Sequence, residues 1–126
     1  MKIPKNVDRM LENWSKEYKK GFLGYFILLF LKERPMYGFE INKQLVEMTH
    51  SKIYFQESGI YQILKKLKKN GMVSTQWKKS SKGPRRKYYN IEDSGILLLE
   101  LFTRDYILPI INTSAQFVKM HFPDLK

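Results

Sequence analysis

The chain has 126 residues, 43% of them hydrophobic and 14% aromatic, and it contains no cysteine. This composition fits a single folded domain, and it excludes a disordered chain, disulfide bonds and cysteine-ligated metals. The formal net charge of +11 indicates a polyanionic partner if the charge is concentrated on one surface.

The first part of the chain predicts two helices in succession. Residues 7–20 repeat apolar side chains at helical spacing, and Gly21 and Gly24 are expected to interrupt or turn the helix there. Residues 22–32 are apolar on nearly every side, which predicts a helix buried on most of its surface. Pro35 ends this helix, because proline disfavours a helical backbone at the residue before it.

A third helix is predicted from Gly38 or Phe39 to about Met48, and a fourth over residues 58–70 with two unlike faces. At 100° per residue, the apolar residues of the fourth helix fall within a stripe about 100° wide, which is the width of a core-facing surface. These residues are Ile60, Ile63, Leu64 and Leu67. The opposite face carries Ser58, Gln62, Lys65, Lys66 and Lys69, with Tyr61 on a flank. Ser58 also stands where an N-cap is expected.

Two strand-like segments follow, residues 72–79 and 86–91, and they predict an antiparallel hairpin. Gly83 and Pro84 form its tip, and four cations surround them. The four are Lys82, Arg85, Arg86 and Lys87. Because like charges repel, this arrangement favours a polyanion that fills the space between them. Tyr88 and Tyr89 point to opposite faces of their strand, so one of them is expected to face the core.

The excess charge lies in about a quarter of the sequence. Residues 58–91 contain ten lysines and arginines and no aspartate or glutamate, which leaves 13 cations against 12 anions in the rest of the chain. A surface that binds nucleic acid concentrates positive charge in this way. The alternative is an ordinary solvated helix face and loop, but such surfaces usually intersperse glutamates that pair with the lysines.

This order of elements predicts a mainly α fold with a small antiparallel β-hairpin, namely a winged helix-turn-helix with an additional N-terminal helix. In that fold the helix before the hairpin, the recognition helix, enters the DNA major groove, and the hairpin, or wing, reaches the neighbouring backbone or minor groove. Gln62 can pair with adenine, and the lysines beyond it lie where phosphates are contacted. We therefore predict a DNA-binding surface from the recognition helix, residues 58–70, and the wing, residues 78–89. Its predicted residues are Ser58, Tyr61, Gln62, Lys65, Lys66, Lys69, Lys82, Gly83, Arg85, Arg86 and Lys87.

A long final helix is predicted from Glu92 to about Met120, with a kink or break at Pro109. Its apolar surface exceeds what one face buries in a monomer, which favours a homodimer over purely intramolecular packing. The predicted interface residues are Trp14, Leu98, Leu99, Phe102, Tyr106, Ile110 and Phe117. The chain is thus divided into a DNA-binding domain, residues 1–91, and a dimerisation segment, residues 92–126. A dimer places two recognition helices about 34 Å apart, which implies a palindromic operator.

A set of aromatic residues is a candidate lining for a small hydrophobic or aromatic effector at the dimer interface. The set comprises Trp14, Tyr18, Phe22, Tyr25, Phe26, Phe102 and Tyr106. The alternative is that these side chains simply belong to the core.

Three segments together resemble the PadR family of transcriptional regulators: "RPMYGFEI" at 34–41, "GIYQILKKLKKNGMV" at 59–73 and "KGPRRKYYNIEDSG" at 82–95. The resemblance implies a homodimeric winged-helix repressor in the bacterial or archaeal cytosol, whose C-terminal helices form much of the dimer interface. Tyr61 matches the tyrosine of the family's recognition helix. The wing pattern is matched by Gly83, Pro84, Arg86, Lys87, Tyr88 and Tyr89. Tyr37 and Phe39 depart from the family pattern, which usually has His and Tyr at these two positions.

Other functional classes have less support in the sequence. Neither His50 nor His121 lies within metal-ligand or nucleophile spacing, so no enzyme activity, metal or cofactor is expected. An architectural protein that coats DNA with little sequence preference remains the alternative, and the ratio of specific to non-specific affinity separates it from a regulator. The chain contains no apolar run of the length of a secretory signal or a membrane span, which predicts a cytoplasmic protein without a membrane partner.

Overall fold

The computed structural model describes residues 2–49 and 57–125, with every side chain in these ranges except those of Lys19, Glu57 and Ser58. Its elements in chain order are α1 (Lys5–Glu33), β1 (Met36–Tyr37), α2 (Gly38–Met48), α3 (Glu57–Lys69), β2 (Val73–Lys78), β3 (Arg86–Ile91), α4 (Asp93–Phe102), a π-helical turn (Thr103–Ile107) and α5 (Leu108–His121). The predicted fold class, mainly α with a small antiparallel sheet in a winged-helix arrangement, is confirmed.

Helix α1 runs without interruption through Gly21 and Gly24, so the break predicted there is wrong. A glycine inside a helix costs only about 1 kcal/mol. The second half of α1 offsets this cost because it buries side chains such as Leu23 and Ile27 in the core. Gly24 also lies against α3, where a Cβ at this position would be 3.8 Å from Ile63 Cγ2.

The sheet contains a third strand that the sequence analysis missed. Its order is β1–β3–β2, and both pairings are antiparallel. Strand β1 has only two residues, Met36 and Tyr37, which pair with Tyr89 and Tyr88 respectively. Tyr89 is the tyrosine that faces the core, with 5% of its surface exposed, and Tyr88 is half-buried on the other side of the strand.

Helices α2 and α3 contribute further buried side chains to the core that the sheet and α1 also line. The apolar face predicted for α3 is confirmed, since Ile60 and Leu64 are fully buried. Helix α3 is described from Glu57 onward, so Ser58 lies inside the helix and not at the predicted N-cap position. The predicted connection over residues 49–57 falls mostly on residues 50–56, which lie outside the described part of the chain. Gly71 ends the helix with a φ of 77°, a left-handed conformation that is typical of this position.

The predicted C-terminal helix is irregular near Pro109 but does not end there. A π-helical turn joins α4 to α5, the flanking residues keep a right-handed helical backbone, and the Leu108 N–H donates to the Thr103 carbonyl. Pro109 follows directly and has no N–H to continue this series of bonds. Thr103 opens this turn: its Oγ1 donates to the Leu99 carbonyl at 2.7 Å and lies 2.7 Å from the Tyr25 hydroxyl of α1. Leu99 itself, which the sequence placed at the dimer interface, is 7% exposed and belongs to the core. That assignment is corrected, because the side chain is covered within its own protomer.

Candidate nucleic-acid interface

The outer face of α3 presents the polar residues that the sequence predicted there. Gln62, Lys65, Lys66 and Lys69 are all exposed, opposite the buried apolar stripe. The side chain of Ser58 lies outside the described part of the structure. Three lysines occupy the last turn of the helix, where the negative end of the helix dipole favours positive charge. The fold therefore buries the apolar stripe of α3 in the core and leaves these four side chains exposed to solvent.

Tyr61 has a packing role that the sequence did not reveal. Its ring lies so close to Gly38 that a Cβ at position 38 would be 2.7 Å from Tyr61 Cζ and 2.8 Å from Cε1. The glycine at the start of α2 thus allows the recognition helix to approach it closely. Tyr61 remains 41% exposed, so the same side chain reaches the surface where the sequence predicted a DNA contact.

Behind this surface, burial raises the pKa of the Tyr89 phenol above its ordinary value of 10.0, and the nearby Tyr61 adds to the effect. The Tyr89 phenol therefore stays neutral at physiological pH. It contributes no negative charge to oppose a polyanion.

The wing tip is a tight turn held by local hydrogen bonds. Gly83 has a φ of 117°, a backbone conformation that residues other than glycine rarely adopt. The Lys82 N–H donates to Ser80 Oγ at 3.2 Å, while the Ser80 hydroxyl donates to the Lys82 carbonyl at 3.0 Å. Lys82, Arg85 and Arg86 project from this turn into solvent, and Lys87 is half-buried.

The two strands of the wing bring like charges directly opposite each other. Lys78 is the cross-strand partner of Arg86, and Trp77 is the partner of Lys87. A like-charged pair in this position destabilises a hairpin. Lys78 was not among the predicted site residues, although its position in the hairpin could have been inferred from the register. Its placement adds a further cation to the wing.

Aromatic rings lie beneath these cations. Arg86 Cζ is 4.6 Å from the centre of the Tyr37 ring, and Lys78 Nζ is 5.2 Å from that of Tyr88. Longer contacts join Lys87 Nζ to Tyr89 at 5.8 Å and Arg85 Cζ to Trp77 at 6.0 Å. Such contacts hold a cation without neutralising it.

Acidic partners for these cations are absent from the described residues. The ion pairs within residues 2–49 and 57–125 lie elsewhere, between Lys16 and Glu12, Arg34 and Glu40, and Arg104 and Asp105. In the same ranges, no three His, Asp or Glu side chains lie together as a metal site would require. None of the described helices is both long enough and apolar enough to cross a membrane.

Residues 27–100, more than half of the chain, match the transcriptional regulator PadR-like family. The chain belongs to the PadR-like family. It is therefore a transcriptional regulator with a winged-helix DNA-binding fold, and the resemblance inferred from the sequence is confirmed.

Solved structures of PadR-like proteins agree with this assignment. A PadR-like regulator from Bacillus cereus is 30% identical and superimposes with a TM-score of 0.67, covering 78% of this chain and 93% of that one. A PadR family regulator from Eggerthella lenta, at 21% identity, supports the fold alone, with a TM-score of 0.74 over 90% of this chain and 97% of that one. Bacillus subtilis PadR in complex with operator DNA is 28% identical, with a TM-score of 0.58 over 64% of this chain and 45% of that one.

Proposed function

We propose that this PadR-like protein is a cytoplasmic, homodimeric repressor that binds a palindromic operator with α3 and the wing. The observation that carries the proposal is the uncompensated charge of these two elements, including Lys78 directly opposite Arg86 in the sheet. A fold that accumulates repulsion on one surface gains stability when a polyanion covers it. The operator DNA bound by Bacillus subtilis PadR supports duplex DNA as that polyanion.

Within this proposal, the two ends of α3 have different tasks. Gln62 lies in the N-terminal half of α3 as the structure describes it, and the N-terminal residues of a recognition helix meet base edges. Its amide can pair with the N6 and N7 atoms of adenine. Lys65, Lys66 and Lys69 lie further along the same face, where they are placed to contact phosphates and so contribute affinity without sequence preference.

The variant Gln62→Ala is expected to lose discrimination at one or two operator positions while its affinity for random duplex DNA is unchanged. Loss of one bidentate base contact costs about 1–3 kcal/mol, which lowers operator affinity about 5- to 150-fold for each half-site. Competition binding against a duplex selected from a randomised pool by the unsubstituted protein measures the effect. Lys69→Ala is the matched control, since it should weaken both DNAs alike and lower the salt slope by about one for each protomer. An equal loss for both DNAs in Gln62→Ala would show that this residue does not read bases.

The proposed dimer rests on two apolar surfaces that one protomer leaves uncovered. Helix α5 has no buried residue, and it exposes Ile110, Phe117 and Met120. The first half of α1 is also exposed, with Trp14 at 70%. Large exposed apolar side chains on two helices indicate a partner interface, and a second copy of the chain is the economical partner. In this proposal, residues 92–126 provide the dimerisation segment and residues 1–91 the DNA-binding domain.

The double variant Ile110→Glu/Phe117→Glu is expected to sediment as a monomer at micromolar concentration, where the unsubstituted protein sediments as a dimer. Four introduced carboxylates would be buried without partners in a dimer interface, at a cost of several kcal/mol. Phe39→Glu is the control, because Phe39 is equally exposed, at 63%, but lies on α2 away from α5. A monomeric unsubstituted protein, or a double variant that remains dimeric, would contradict the proposed interface.

The proposal includes a small hydrophobic or aromatic effector that binds at the dimer interface. Its support is a continuous aromatic cluster along α1 and the π-helical turn, in which Tyr25 packs against Phe102 at 5.5 Å and Phe102 against Tyr106 at 5.3 Å. Next to this cluster, α1 and the C-terminal helices enclose an apolar groove of about 500 Å³ that Leu29 and Leu108 help to line. Release of bound DNA by small aromatic compounds in a binding assay tests this part of the proposal, and the absence of release by any of them would contradict it.

A further inference from the structure

The contact between Arg86 and Tyr37 connects the wing to the segment before α2, at the proposed DNA-binding surface. Arg86 begins strand β3 in the wing, whereas Tyr37 lies in β1, immediately before α2. The guanidinium carbon lies 4.6 Å from the centre of the Tyr37 ring, the shortest of the cation–ring distances among the described residues. Tyr37, which directly precedes the helices α2 and α3, therefore holds a cation of the wing.

The Tyr37 ring is itself fixed from several sides. It meets the Tyr88 ring edge-on at 5.4 Å and stacks on Phe39 at 6.3 Å. Its backbone N–H donates to the Glu40 carboxylate at 3.3 Å, and the strand pairs with β3. A ring held in this way is a rigid platform for the guanidinium above it.

A cation held over such a ring is preorganised for phosphate binding. A free arginine side chain has many rotamers, and part of this freedom is lost when it binds a phosphate. Contact with a ring removes this freedom when the protein folds, so less is lost when DNA binds. The contact uses the π face of the ring and leaves the N–H donors of Arg86 to a phosphate.

We propose that Tyr37 is a positioning residue for DNA binding, which holds Arg86 toward a backbone phosphate between the recognition helix and the wing. The inference rests on the proposed DNA-binding surface and adds a residue that the sequence analysis did not assign to it. Tyr37 acts through Arg86 and through the charge that Arg86 carries. The effect is independent of DNA sequence, because a phosphate is the ligand.

The test is a double-mutant cycle with Tyr37→Leu and Arg86→Ala, with a mixed-sequence duplex of about three helical turns as the probe. Tyr37→Leu is expected to weaken binding about two- to fivefold for each wing engaged, the size of an exposed cation–ring contact. In the Arg86→Ala background, Tyr37→Leu should have no further effect. Tyr37→Phe retains the ring and should restore binding to within about twofold of the unsubstituted protein.

Leu97→Ala is the control, because Leu97 is an exposed apolar residue of α4 that takes no part in the described ring contacts of Tyr37. Its effect should be small and the same with and without Arg86→Ala, whereas Phe39→Leu, which removes a ring stacked on Tyr37, should lose part of its effect in the Arg86→Ala background. Thermal unfolding of each variant shows that binding is measured on folded protein, and Tyr37→Ile replaces Tyr37→Leu if the latter is unfolded at the assay temperature.

Two results overturn the inference and differ from a failure of the proposed function. If Arg86→Ala weakens binding but the effect of Tyr37→Leu is equally large in both backgrounds, Tyr37 does not act through Arg86. If Tyr37→Phe is as weak as Tyr37→Leu, the ring is not what positions the guanidinium. If the unsubstituted protein does not bind the duplex even at low salt, the proposed DNA-binding function fails, and the role of Tyr37 fails with it.

Discussion

Replacing the four cations of the wing tip with glutamine is expected to lower affinity for duplex DNA by about a hundredfold or more at physiological salt. The substitutions are Lys82→Gln, Arg85→Gln, Arg86→Gln and Lys87→Gln. Each phosphate contact releases counterions, so the slope of log affinity against log salt should become shallower by up to about four for each wing. Titrations of operator and random duplex at several salt concentrations measure both quantities. Both DNAs should lose affinity to a similar extent, because phosphate contacts carry little sequence information.

A control with the same change in net charge separates a local contact from general attraction. Lys2→Gln, Lys5→Gln, Lys16→Gln and Lys20→Gln also remove four exposed cations, but all of them precede Gly21, outside α3 and the wing. Exposed charges more than about 10 Å from the DNA are largely screened at physiological salt. This control is therefore expected to bind nearly as tightly as the unsubstituted protein. Equal losses for the two sets would show that the wing makes no specific phosphate contacts.

Gly95→Ala is expected to destabilise the fold, although it adds only one methyl group. A Cβ on Gly95 would overlap the Met72 carbonyl oxygen and lie 2.8 Å from Ile91 Cγ1. The Met72 backbone has little freedom to move, because its carbonyl accepts from the Glu92 N–H at 2.9 Å and its N–H donates to the Leu67 carbonyl at 2.9 Å. The substitution therefore forces α4 away from the sheet.

Overpacking of this kind costs about 1–3 kcal/mol or more, and the better helix propensity of alanine offsets only part of it. We expect a loss of about 2 kcal/mol in the free energy of unfolding and a Tm lower by roughly 10 °C. Gly21→Ala is the control, because Gly21 is also helical but has no neighbouring atom within 4 Å of its ideal Cβ. The control should gain about 0.5–1 kcal/mol. A Gly95→Ala variant as stable as the unsubstituted protein would contradict the close approach of α4 to the turn after α3.

The sequence predicted the recognition helix well, because a single periodicity governs both of its faces. Ile60 and Leu64 had to be buried once the helix existed, and Gln62 and the lysines then had to be exposed. The hairpin was similarly predictable from strand-forming residues on either side of a Gly-Pro tip. Both features could be predicted because they depend on the order of apolar, polar and turn-forming residues within a short stretch of the sequence.

Features that depend on contacts between distant segments were missed or misjudged. The two-residue strand β1 exists only because β3 offers it a partner, and nothing in its own sequence distinguishes it from a loop. The glycines of α1 are propensity defects that tertiary burial overrides. Leu99 was assigned to an interface because periodicity shows that a residue lies on an apolar face but does not show what covers that face.

In the candidate site, too, the features set by local sequence were predicted and those set by contacts between distant segments were missed. The cations of α3 and the wing were identified from their concentration in the sequence. Tyr37 was noted only as a departure from the family pattern, since its relation to Arg86 depends on the pairing of β1 with β3. The packing of Tyr61 over Gly38 was likewise invisible, because these residues belong to two different helices.

The central claim, that the protein is an operator-specific regulator, is tested most directly by a gel-shift assay with the DNA upstream of its own gene. The assay uses random competitor DNA and two salt concentrations. We expect a discrete complex that survives about a thousandfold excess of competitor. Smooth coating of specific and random fragments, with both complexes lost together as salt rises, would contradict it and favour a DNA-binding protein of low specificity.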